Sequence, residues 1–164
     1  MSTVEFYSGI SDKLHHALRL LRKAHAKGAR VAVVADAATL RRLDAELWTA
    51  DARDFVPHVR IEGRDGDQRG AHAPAASRMD RTPLWLVESP GLARRCDVLV
   101  NLGPQAAEDL DGFDRVIDLV GDDADDRRAG RARWRRYESS GHTIQHRALD
   151  SAAATSPADP TDPS

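Results

Sequence analysis

Val31 to Ala35, VAVVA, is a continuous apolar run with no polar residue to turn towards water on either side. A strand of that kind is buried on both faces, the pattern of a parallel sheet with helices above and below it. Its flanks agree. Before it, Ser11 is placed to cap a helix with Asp12 in the first turn, while Leu14, Ala17, Leu18, Leu21 and Ala24 recur at helical spacing. Gly28 then stands where a left-handed C-terminal residue belongs. After the run, Asp36 is placed to cap a second helix with Leu40, Leu43 and Leu47 on one side and Trp48 beside them. Residues 3 to 8, TVEFYS, alternate as a strand. Strand, helix, strand, helix opens an α/β fold with right-handed crossovers.

Further along, Leu84 to Val87 and Asp97 to Leu102 read as short core strands, and RVIDLV, 115 to 120, as another. The DDADD run from Asp122 to Asp126 opens a helix to about Ser139, with aspartates at the positive end of the helix dipole and arginines after them. Gly141 ends it, and residues 142 to 149 alternate as a final strand. At 164 residues the whole is one domain, taken as 1 to 150. Residues 62 to 81 have Met79 as their only large apolar side chain and are expected to form a mobile surface loop. Residues 151 to 164 lack aromatic and basic side chains and are expected to be a disordered tail.

Charge and cysteine content narrow the function. The net charge is −2, and the tail holds Asp159 and Asp162, so the body is neutral and any electrostatic role is local. Cys96 is the only cysteine, which removes a disulfide framework and a cysteine-based zinc cluster and fits a reduced compartment. No apolar run is long enough to span a membrane, and the N-terminus does not read as a signal peptide, so a cytoplasmic protein is expected. Neither G-x-G-x-x-G nor G-x-x-x-x-G-K-[ST] occurs, which argues against dinucleotide or P-loop chemistry. His15 and His16 are adjacent on a helix and point about 100° apart, the wrong geometry for chelation. His142 and His146 fall about 13 Å apart on a strand. Exposed histidines and a buried structural thiol at Cys96 are the expected readings, with no metal and no cofactor.

The strongest local feature is an arginine row around an indole. Arg127, Arg131, Trp134 and Arg135 fall on nearly one helix face, which can grip carboxylates bidentately beside an aromatic wall, or phosphates with base stacking. The bland alternative is a solvated face whose arginines pair with the aspartates upstream. Trp48 and Phe55-Val56-Pro57 form a second group; their apolar character favours closing the core at the sheet edge over an exposed partner patch.

These segments resemble a known family. VEFY at the N-terminus, GARVAVVADAATLRRLDAELWTADARDFVPH, DVLVNLG, and RVIDLV followed by RARWRRYESSGHTI together are similar to the chi subunit of the bacterial DNA polymerase III holoenzyme. The resemblance implies a Rossmann-like three-layer α/β/α fold with a mostly parallel sheet and a non-catalytic accessory role in DNA replication. Its implied partners are the psi subunit, which docks to the clamp loader, and the acidic C-terminal tail of single-stranded DNA-binding protein. It also implies Arg131 as the main tail-binding residue, with Arg127 and Arg135 in support, Trp134 as aromatic wall and Val120 as apolar contact. Phe55 matches the psi-contacting surface, with Val56 in the same motif and Trp48 as neighbour. Two readings compete: a direct nucleic-acid binder using the helix from 127 to 137, opposed by the neutral body, and a small hydrolase using the histidines, opposed by the lack of a convergent triad or metal spacing.

Overall fold

The computed structural model describes residues 3–49, 53, 56–61, 82–93 and 96–149. Seven strands, β1 (Thr3–Ile10), β2 (Val31–Val34), β3 (His58–Ile61), β4 (Leu84–Val87), β5 (Val98–Asn101), β6 (Arg115–Gly121) and β7 (Thr143–Ala148), form one sheet in the order β3-β4-β2-β5-β6-β1-β7. Every pairing is parallel, so the expected mostly parallel sheet is parallel throughout. Helices α1 (Lys13–Ala26) and α2 (Ala37–Thr49) pack on one face and α3 (Ala124–Ser139) on the other, a three-layer α/β/α arrangement. The expected loop at 62 to 81 and tail at 151 to 164 lie outside the described residues.

The central strands carry the core in both directions. Val33, Leu86, Val100, Ile117 and Leu119 meet Leu21, Leu40, Leu43 and Leu47 from α1 and α2. On the opposite face Val4, Phe6, Trp85, Leu99 and Val116 meet Tyr137 from α3. The period of two is visible in β6, where Ile117 and Leu119 point one way and Val116 and Val120 the other.

Three details differ from expectation. The cap of α1 is Asp12, not Ser11: its carboxylate accepts from the His15 backbone N–H at 3.0 Å, while Asp36 caps α2 through Thr39 as expected. A carboxylate meets the orphan N–H groups and the dipole together, which a hydroxyl one residue earlier cannot. β3 was not anticipated; His58-Val59-Arg60-Ile61 alternates as an edge strand should, but is only four residues long beside a polar stretch. Trp48 does not close the core. Leu40, Leu43 and Leu47 fill the inward stripe of α2, and Trp48, one residue beyond, stands 65% exposed.

The C-terminal end of β1 is bent open. Its register with β6 shifts between Tyr7 and Ile10, and Gly9 sits there at φ +77°, where a Cβ would collide with the Leu149 carbonyl. Nearer the other end, the Glu5 carboxylate accepts from Arg115 Nε at 3.0 Å and Nη2 at 2.7 Å. The Arg115 hydrogen bond holds the Glu5 carboxyl below its ordinary value, outweighing the opposing effect of burial. A lowered folded-state pKa gives stability that is present above the unfolded value of 4.5 and lost as pH falls through the lower folded value. Glu5→Gln is therefore expected to cost no more than about 1 kcal/mol at neutral pH, because Arg115 is solvent-screened. That deficit should vanish in acid; chemical denaturation of both proteins from neutral pH down through the carboxylate range measures it.

Candidate functional site

Helix α3 has two distinct faces. Gly130, Arg133 and Tyr137, spaced three and four residues apart, are buried against the sheet. A Cβ on Gly130 would lie 2.9 Å from Val120 Cγ1, so the glycine sets how closely α3 approaches β6. Arg133 is 1% exposed and reaches Asp118, which is fully buried in the middle of β6; Arg133 Nη2 stands 2.9 Å from Asp118 Oδ1. Asn101 Nδ2 donates to the same carboxylate at 3.1 Å and the Tyr137 hydroxyl at 3.2 Å, while the Tyr137 oxygen accepts from the Ala107 N–H at 3.0 Å. Arg133 Nη2 also donates to the Leu119 carbonyl at 3.3 Å. Burial pushes the Asp118 carboxyl up, and Arg133 opposes that shift. Burial, followed by the Asp118 charge, likewise drives the Tyr137 hydroxyl pKa upwards.

The other face of α3 borders a cavity of about 530 Å³ against β1, β6 and β7. Arg127, Arg131, Trp134, Arg135 and Val120, all five residues singled out in the sequence, line it. Ser8 and Gly9, opened by the β1 irregularity, form part of its wall. Trp134 is half-buried and wedged, its ring 5.1 Å from Phe6 at 58° and 5.9 Å from His146 at 79°. His146 is exposed, as expected, and also lines the cavity, with its Nε2 2.7 Å from Ser8 Oγ. Its period-two relation to Ile144 on β7 put it beside α3, but the β1 partner is a long-range fact.

The upstream aspartates do not neutralise this arginine row. Asp123 caps α3 by accepting from the Asp126 N–H at 2.8 Å, and Asp126 accepts from Gly121 N–H at 2.5 Å and Lys13 Nζ at 3.1 Å. Burial works against the Asp126 charge, but the Gly121 N–H and Lys13 outweigh it and hold the carboxyl below its ordinary value. Arg136 pairs with Glu108 at 3.2 Å, whereas Arg127, Arg131 and Arg135 form no ion pair among the described residues. Three exposed guanidinium groups thus surround an apolar cavity with an indole wall, an arrangement for carboxylates attached to an apolar group.

The crevice at the carboxyl ends of the strands differs in charge from the α3 cavity. Ligands of open α/β sheets bind at the carboxyl ends of the strands, where helix N-termini attract phosphates. Here the helix starts are occupied by the chain's own carboxylates, and Asp12, Asp123, Asp125 and Asp126 outnumber Lys13 and Arg42 in the lining of the crevice, a net negative charge that disfavours phosphate. Cys96 is buried, and desolvation pushes its thiol up to about 11, the opposite of a nucleophile's environment. Among the described residues no cluster of three or more metal-ligating side chains occurs, and no helix is long and apolar enough to cross a membrane.

The second predicted group is only partly visible. The exposed Trp48 ring stands edge-on to His58 at 5.3 Å, and His58 is fixed by Asp44 Oδ1 at 2.7 Å and the Val56 carbonyl at 2.9 Å. Val56 is 2% exposed, packed with Leu43 and Leu47 in the core, so its side chain supports this surface from beneath instead of forming it. Phe55 lies outside the described residues.

Comparison with known proteins bears on both surfaces. The family described as "DNA polymerase III chi subunit, HolC" matches residues 1–145. DNA polymerase III subunit chi of Pseudomonas aeruginosa is 34% identical over 154 residues, covering 91% of this chain and 98% of that protein. A match spanning β1 to β7, on a chain whose all-parallel sheet and arginine-lined cavity come from the same segments, places the protein in the DNA polymerase III chi subunit family, as an accessory subunit of DNA replication.

Proposed function

We propose that this chain is a non-catalytic bridge, working in the cytoplasm at the replisome, between the clamp loader and protein-coated single-stranded DNA. The α3 cavity takes the acidic C-terminal tail of single-stranded DNA-binding protein. Arg131, flanked by Arg127 and Arg135, grips carboxylates, while Trp134 and Val120 receive the apolar end of the tail. The observation that carries this reading is the convergence on one cavity of Trp134 with three arginines that form no ion pair among the described residues. The surface around Trp48, with Phe55 from the adjoining segment and Val56 beneath it, contacts the psi subunit. Nucleic acid is engaged only indirectly. Two modest contacts on one body raise the effective concentration of the polymerase at coated template without any chemical step.

Calorimetry with an acidic peptide ending in phenylalanine tests the cavity directly. Micromolar binding is expected, and removing the terminal phenylalanine should cost about 1.5 kcal/mol or more, the scale of burying one large apolar side chain. A trimmed peptide that binds equally well would show that only charge is being read, and the cavity assignment would fail.

A further inference from the structure

A second groove lies on the opposite face of the sheet, between α1 and the strands β5 and β6, with a volume of about 580 Å³. Arg19, Lys23 and Lys27 follow one another at single-turn intervals along its edge and are exposed. None of the three forms an ion pair with a described residue. Arg115 closes the far side, and no aspartate or glutamate is among the described residues that line the groove. Glu5, the nearest carboxylate to Arg115, is already held by it. The neutral body is therefore polarised, with carboxylates gathered at the strand ends beside Asp12 and Asp123 and cations gathered here. Burial, with the neighbouring Arg19 and His15 charges, holds the His16 pKa down, so the positive field comes from the arginines and lysines.

Beneath this rim the surface is aliphatic. Leu20 and Ala24, half-buried on α1, face Val98 across the groove, and Val100 and Ile117 form the base. Among the described residues α1 and α2 are the helices that cover this face of the sheet, and the flank of β5 and β6 beside α1 forms a channel.

We propose that this groove is a second docking site, which takes an acidic protein segment carrying aliphatic side chains. Charge complementarity favours an anionic partner, and the aliphatic floor favours protein over single-stranded nucleic acid. Stacking bases need a free aromatic face. Among the described residues that line the groove, Tyr7 is the one tyrosine, and it has its hydroxyl tied to Glu5 at 3.1 Å and its ring set against His16 at 6.5 Å. Because the groove and the α3 cavity lie on opposite faces of the sheet, both can be filled at once, and neither assignment depends on the other.

The test uses the full chain carrying Arg131→Ala, to weaken the α3 cavity, as bait for random peptides displayed on phage. Enriched peptides are expected to combine Asp or Glu with Leu, Ile or Val. Adding Arg19→Glu and Lys23→Glu, both at exposed positions, should weaken the best peptide by about tenfold or more, given favourable pairs turned into repulsions. Unchanged melting of that variant confirms the fold. Peptides without an acidic bias, no enrichment, or binding indifferent to the charge reversal would each overturn the proposal. So would oligothymidylate binding more tightly than the peptides with the same dependence on Arg19 and Lys23, which would make the groove a nucleic-acid site.

Discussion

Arg133→Met is expected to destabilise the protein by about 3 to 5 kcal/mol, the cost of leaving one member of a buried ion pair without its partner. Asp118 is fully buried, and its other donors, Asn101 and Tyr137, are neutral hydrogen-bonding groups that cannot replace the guanidinium charge. For a chain of this size the melting temperature should fall by roughly 10 °C or more. The loss should depend on pH with a definite sign. Burial raises the Asp118 carboxyl above its unfolded value, so ionisation penalises the folded variant at neutral pH, and the deficit narrows as pH falls and the carboxyl stays protonated. The double variant Asp118→Leu/Arg133→Met should recover much of the loss, since it removes the stranded charge. Thermal unfolding of the three proteins at neutral and mildly acidic pH measures all of this.

Arg131→Ala carries the largest expected effect on binding with little effect on folding. Arg131 is exposed and makes no ion pair among the described residues, so its truncation leaves nothing buried and unpaired. Affinity for the Phe-terminated acidic peptide should fall by about 1.5 to 3 kcal/mol, the range for a hydrogen bond to a charged group. The free energy of unfolding should stay within about 0.5 kcal/mol of the parent, as for surface substitutions in general. Together the two arginine variants separate two positions on one helix: Arg133 holds α3 to the sheet, and Arg131 lines the cavity beside it, where it is proposed to bind.

That separation marks the limit of what the sequence discloses. The strands were legible where they are apolar on both faces, as in Val31 to Val34 and Leu84 to Val87, because burial leaves no polar residue in them. The cavity residues were legible because helical spacing alone puts Arg127, Arg131, Trp134 and Arg135 together. Arg133 was not distinguished from its neighbours, since a basic residue in a basic helix reads as solvated. A signal did exist. Asp118 interrupts the apolar VIDLV, and Gly130, Arg133 and Tyr137 recur at the spacing of an inward stripe, so a buried carboxylate and a buried cation were both implied on facing elements. Their contact, like that of His146 with Ser8, depends on long-range register, which local periodicity does not encode. Trp48 departs from a core position for a related reason: three leucines already fill the inward stripe of α2, and the tryptophan beside them is left exposed.

The central claim is that the α3 arginines read a carboxylate-bearing, apolar-ended peptide and not a phosphate backbone. Fluorescence anisotropy of the intact protein with the acidic Phe-terminated peptide and with oligothymidylate, across one salt series, tests it most directly. The peptide should bind at micromolar strength at moderate salt, and the oligonucleotide much more weakly, because a neutral body offers few further phosphate contacts and the log-log salt slope scales with their number. Tight oligothymidylate binding with a steep salt slope, alongside weak peptide binding, would contradict the account and make this helix a nucleic-acid-binding surface.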